Sequence, residues 1–227
     1  VMAVLILLYL GAFTIVRNRH DAQPPAGLAD YARNFGRLFR NRELMLISGA
    51  TGLRTLTQSG LLTFLPVYLA YELHYAPFSV GLCMAVLQLG GFIAAPVGGH
   101  LSDKLGRRRI IMGGMTVSGV TIAGMVLAAQ TPLFVVFVAL VGFFLYAMRP
   151  ALQAWAMDAT PKNMGGSTVG LQFTFSAIGS ALAPALCGMI ADRYGIYTAF
   201  YFLAVTIVFA NLIMLLMPAE KPSAAKT

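Results

Sequence analysis

The chain has 227 residues, of which 58% are hydrophobic and only 11% charged, with a formal net charge of +8 and a mean hydropathy of +0.76. A soluble domain carries about 25% charged residues, so this composition excludes a water-soluble core and assigns the chain to a membrane as an all-α, polytopic helical bundle. It also excludes the nucleic-acid reading that the positive charge invites, because the cations lie in turns between long apolar runs, where they orient spans and touch anionic membrane lipids.

In chain order, residues 1–16 are apolar from the first position, which predicts the end of a transmembrane helix begun upstream. Residues 17–43 read as a cytoplasmic linker: Pro24-Pro25 breaks helix, and Leu28, Tyr31, Phe35, Leu38 and Phe39 then alternate with Arg33, Arg37 and Arg40 at the spacing of an interfacial amphipathic helix. A solvated linker is the plainer alternative. Six spans are predicted at 44–71, 78–97, 110–129, 133–157, 166–191 and 197–217, each long enough for a hydrocarbon core of roughly 30 Å. Pro218 ends the last span, and 218–227 is a polar cytoplasmic tail. Cys83 and Cys187 fall inside spans at a spacing that suits no metal site, and no cofactor is called for.

Of 16 Lys and Arg, 14 collect on one side: six between Arg17 and Arg42, four between Lys104 and Arg109, then Arg149, Lys162, Lys221 and Lys226. Arg193 is alone on the other side and Arg54 is inside the first span. By the positive-inside rule the rich side, with the C-terminus, is cytoplasmic.

The densest of these turns reads G-G-H-L-S-D-K-L-G-R-R-R from Gly98 to Arg109. Cations alone fit a loop that merely sets topology. The frame of Gly99, Leu101, Asp103, Lys104, Gly106, Arg107 and Arg108 between two spans is more than topology needs, and it resembles the signature loop of the major facilitator superfamily. The resemblance implies a C-terminal six-helix half, a missing N-terminal half as its partner, and secondary transport of a small molecule by alternating access. It further implies that the loop acts as a conformational latch, with Asp103 holding a helix terminus of the opposite bundle; within this chain, only Arg149 is a conceivable partner. The segments around Leu53-Arg54, Thr63–Pro66 and Arg149-Pro150 are similar to bacterial drug-efflux members, which implies an inner-membrane antiporter.

An internal repeat agrees with that architecture. Residues 79–106 and 168–195 align without gaps at an offset of 89, with eight of 28 positions identical, including Gly90/Gly179, Ala94/Ala183, Gly99/Gly188, Asp103/Asp192 and Gly106/Gly195. Glycine and alanine match easily by chance in membrane helices, but Asp-[Lys/Arg]-x-Gly recurring at the same offset does not. Two three-helix units of odd span number enter the membrane from opposite sides, an inverted repeat of the kind secondary transporters use, with the site near the midplane. Small-residue stripes at Gly90-Ala94-Gly98 and Ser176-Ser180-Pro184-Gly188 predict close helix approach, and Pro96 and Pro184 predict bends.

Arg54 and Arg149 are the cations at membrane depth, where a guanidinium costs about 2.5–3.5 kcal/mol on insertion scales and is kept only if paired or used. Snorkelling to the interface is the plainer account of Arg149. Gln58 and Gln153 follow them by one turn, and Gln88, Trp155 and Gln172 add polar groups whose bland role is interhelical bonding. The resemblance places the first and fourth spans on a central cavity, so Arg54, Gln58, Arg149 and Gln153 are the expected substrate-binding residues. Two cations without a nearby acid favour an anionic substrate, exported as a drug-like or anionic organic compound or, alternatively, taken up as a small anionic metabolite. No carboxylate lies inside a span, so a coupling proton would need a carrier outside this chain. An intramembrane enzyme is the remote alternative: His20, His74 and His100 lie in loops or at helix ends, and no nucleophile motif occurs.

Overall fold

A computed structural model describes residue 36 and residues 38–129, 131–160 and 164–217. The expected helix end at 1–16, most of the linker and the tail at 218–227 lie outside the described residues. Six long helices are described: α1 (Arg42–Tyr71), α2 (Pro77–Leu105), α3 (Arg107–Leu127), α4 (Leu133–Asp158), α5 (Gly165–Tyr194) and α6 (Ile196–Leu215). Helix α1 begins where the Asn41 side chain accepts the backbone N–H groups of Glu43 and Leu44 at 3.1 and 3.3 Å, satisfying two otherwise unpaired donors. Pro66, Pro96, Pro150 and Pro184 lie within helices that continue past them.

Five of the helices, α2 to α6, are long and apolar enough to cross a membrane. Helix α1 is as long but less apolar, because it carries Arg54-Thr55-Leu56-Thr57-Gln58-Ser59. Its polar groups are turned into the bundle: Ser48, Arg54 and Thr57 are buried. Thr55, Gln58 and Ser59 beside them are partly buried.

Contacts at the two ends fix the direction of every helix. At one end Asn41 Nδ2 donates to the Ala159 carbonyl at 2.9 Å, Arg107 pairs with Asp158, and Arg108 donates to the Leu215 carbonyl at 3.3 Å. The start of α1, the α2–α3 junction and the ends of α4 and α6 therefore share that end, which is the basic one. At the other end the buried Tyr68 ring packs against Phe134, Tyr197 and Phe200, with centroids 6.2, 5.4 and 5.2 Å away. Asp103 and Asp192 thus lie at opposite ends, as an inverted repeat requires.

The packing repeats too. Helix α2 lies against α4 as α5 lies against α1, α3 against α4 as α6 against α1, and α3 meets α6. The result is a front layer ordered α5–α1–α4–α2 with α6 and α3 behind. The repeated glycines carry this symmetry. Gly106 joins α2 to α3 and Gly195 joins α5 to α6 as single residues at φ 93° and 87°, a region where a side chain is strained. Gly90 comes so close to α4 that a Cβ would meet the Ala139 carbonyl at 2.6 Å, and one on its counterpart Gly179 would collide with the Gly52 carbonyl on α1.

One boundary differs from the expectation. The charged stretch before Gly106 is not a loop: α2 runs on to Leu105, and α3 begins at Arg107. Charge marks where a helix leaves the membrane core, whereas Ser102-Asp103-Lys104-Leu105 contains nothing that stops a helix; only Gly106 does.

Candidate functional site: an arginine cleft in the front layer

Arg54 is 2% exposed although it is charged. It lies about 18 Å along α1 from Arg42 at 1.5 Å per residue. Its Nε and Nη2 both donate to the Leu145 carbonyl on α4, at 2.9 and 2.6 Å, and Nη2 also donates to Gln58 Oε1 at 2.7 Å. A buried guanidinium needs such partners, and charge-assisted bonds of this kind are about twice as strong as neutral ones. The fork ties α1 to α4, a structural role that the sequence did not disclose. The Nη1 donors take no part in these bonds.

Arg54 lines a small cleft, open to the surroundings, between α1, α4 and α5. Arg149 and Gln153 from α4 share it, so the structure brings together three of the four expected residues; Gln58 stands behind, holding Arg54. Both α4 residues are exposed. No Asp or Glu lines the cleft, while Leu152, Val169 and Phe173 give it an apolar side. Among the described residues no group of His, Cys, Asp and Glu could hold a metal ion.

The rest of the lining, Thr51, Gln172 and Ser176, lay outside the expected set. Thr51 bonds its own helix, donating to the Ile47 carbonyl, whereas Gln172 and Ser176 belong to a hydrogen-bonded ladder between α1 and α5: Gln172 Nε2 donates to Ser48 Oγ at 3.2 Å, Thr55 Oγ1 to Ser176 Oγ at 3.5 Å, and the Ser59 and Ser180 hydroxyls meet at 3.1 Å. Polar positions recurring every three or four residues on both helices are the signal that could have found it.

The motif residues divide between two helices. Gly99, Asp103 and Lys104 are on the last turns of α2, Gly106 is the hinge, and Arg107 and Arg108 open α3. Cations are unfavourable at a helix N-terminus. These two reach away from it, Arg107 to Asp158 at the end of α4 and Arg108 to the Leu215 carbonyl at the end of α6. Asp103 is exposed and forms no ion pair among the described residues, with Arg149 or any other. Arg149 belongs to the cleft instead, well inside α4.

The sequence profile of the Major Facilitator Superfamily matches residues 47–227. Curated relatives include an uncharacterised MFS-type transporter, YuxJ, of Bacillus subtilis, 27% identical over 193 residues (82% of this chain, 48% of the relative). A phosphoglycerate transporter protein of Salmonella typhimurium is 26% identical, covering 83% of this chain and 42% of its own length. The multidrug resistance protein MdtG of Escherichia fergusonii is 28% identical over 163 residues, or 70% and 40%. The chain spans about half the length of the curated relatives it matches. Among solved structures, one described under substrate recognition in proton dependent oligopeptide transporters superposes with a TM-score of 0.71 at 14% identity, covering 79% of this chain and 42% of that one; at this identity the likeness concerns the fold.

Proposed function

The chain belongs to the Major Facilitator Superfamily, a family of transporters, and from that premise we propose that it is one half of a secondary transporter that binds a small organic anion in the arginine cleft. The observation that carries this reading is Arg54 and Arg149 lining one cleft with no carboxylate beside them. Cations at membrane depth are retained for a partner, and an anion between the buried Arg54 and the exposed Arg149 relieves their mutual repulsion. Leu152, Val169 and Phe173 suit an amphipathic molecule, so export of a drug-like organic acid is the first reading. The similarity to a phosphoglycerate transporter protein supports the second, uptake of a small phosphorylated metabolite.

The basic end is cytoplasmic under the positive-inside rule, with the protein in the inner membrane. A second bundle, facing the front layer, completes the cavity. If the exchange is an antiport with protons, the proton carrier lies in that other bundle, since the carboxylates described here are near helix ends. Asp103, exposed at the end of α2, is free to latch onto it; Asp103→Asn shifts the balance of inward- and outward-open states, read by accessibility of cysteines placed on each side, and unchanged accessibility counts against the latch.

The test of the main reading is transport in proteoliposomes carrying the full-length protein. Arg54→Gln should reduce flux of 3-phenyllactate or 3-phosphoglycerate at least tenfold, about 1.4 kcal/mol. Wild-type flux in that variant contradicts the assignment.

A further inference from the structure

Gln88 on α2 and Tyr146 on α4 are polar side chains at mid-depth, about 16 and 20 Å from the Pro77 and Leu133 ends at 1.5 Å per residue. Those two ends belong to the same side of the bundle. Gln88 is exposed and Tyr146 half-buried, so neither is spent in the core. At that depth an amide turned to lipid tails is costly, which turns this face towards a polar space. Tyr146 Oη donates to Gln88 Oε1 at 2.7 Å. The bond occupies the amide oxygen and leaves the Gln88 N–H pair and the Tyr146 lone pairs without a protein partner among the described residues. Gly91 makes room for the ring: a Cβ there would lie 2.6 Å from Tyr146 Cδ2. Tyr146 directly follows Leu145, whose carbonyl Arg54 holds, and α2 lies on the far side of α4 from the α1–α5 flank.

We propose that Gln88 and Tyr146 form a second, uncharged subsite on the front layer, which takes a hydroxyl group of the transported molecule while the arginine cleft takes its anionic group. The proposal rests on the anion reading above. A hydroxyl fits because it can accept from the free Gln88 N–H and donate to Tyr146 Oη together; a carbonyl uses only the first. The subsite selects among anions that the arginines alone would bind alike.

The test uses the purified full-length transporter and two pairs of probes that differ by one hydroxyl: 3-phenyllactate against 3-phenylpropionate, and 3-phosphoglycerate against 3-phosphonooxypropanoate. Affinities are read from ligand-dependent thermal stabilisation. The hydroxylated member of at least one pair should bind roughly fivefold to tenfold more tightly, the worth of one net hydrogen bond. Tyr146→Phe and Gln88→Met should each bring the ratio close to one, and the deoxy member, which makes no use of the pair, reports that the variant is folded. Arg54→Gln should weaken both members alike. A wild-type ratio of one, or a ratio that survives both variants, overturns the subsite. Absence of binding by all four probes, or indifference of both members to Arg54→Gln, overturns the anion reading itself and the subsite with it.

Discussion

The α2–α4 and α1–α5 interfaces occupy equivalent places in the two repeats, yet they are built differently. Both are brought together by glycine: Gly142 against the Leu87 backbone in the first, Gly179 against Gly52 in the second. The buried part of the first is apolar, with Leu87 and Ala94 enclosed, and its Tyr146–Gln88 hydrogen bond lies at the exposed edge. The second carries the ladder Ser48–Gln172, Thr55–Ser176 and Ser59–Ser180. Apolar packing against backbone resists sliding, because every displaced atom loses contacts. Hydroxyl pairs are weaker, averaging about 0.6 kcal/mol between membrane helices, and can exchange partners with water. The cleft opens beside the polar interface. One of the two interfaces between the repeats is a stiff flank and the other a flank that can adjust to what it holds.

The largest effect expected from breaking this arrangement is at the shared glycines. Gly142→Val and Gly179→Val each force two backbones apart and should cost at least about 3 kcal/mol, seen as loss of monodisperse protein in size-exclusion chromatography. Survival of either would show that the close approach is not required. Next comes Leu87→Ala, a cavity in the dry flank, at about 2–3 kcal/mol in thermal melting. Joint substitution Ser59→Ala and Ser180→Ala in the wet flank should cost only about 0.6 kcal/mol; an equal cost for the two flanks would erase the distinction. The Arg107–Asp158 pair, with Asp158 63% exposed, should show a coupling of about 0.2–1 kcal/mol in a double-mutant cycle that fades with salt. Smallest is Gly99→Ala, where the nearest atom to a new Cβ is Pro150 Cβ at 3.9 Å; its stability in thermal melting should match wild type within about 0.5 kcal/mol, although it is a motif position.

These differences also explain what could be read beforehand. The repeat was legible because close approach and positive φ both demand glycine, so Gly90/Gly179 and Gly106/Gly195 keep the imprint of the symmetry in residue type. Helix direction followed from the Lys and Arg count. The extension of α2 through Asp103 and Lys104 was not legible, since charge reports the edge of the hydrocarbon core rather than the end of a helix. Arg54 stood out by its depth, but its main partner is the Leu145 carbonyl, and a backbone acceptor leaves no mark in the sequence. Gln58 was expected to face the cleft; its bond to Arg54 makes it the residue that aims the guanidinium. The α1–α5 ladder was hidden because Ser and Thr in membrane helices usually bond their own backbone, as Thr51 does to the Ile47 carbonyl at 2.8 Å.

Whether Arg54 and Arg149 grip one anion between them is decided most directly by a double-mutant cycle on anion affinity, with Arg54→Gln, Arg149→Gln and the pair in the full-length transporter. Residues that share a ligand are coupled, so the double variant should lose less than the sum of the single losses, with an interaction energy above about 0.5 kcal/mol. Strict additivity, or an Arg149→Gln variant that binds the anion as wild type does, would contradict the shared cleft.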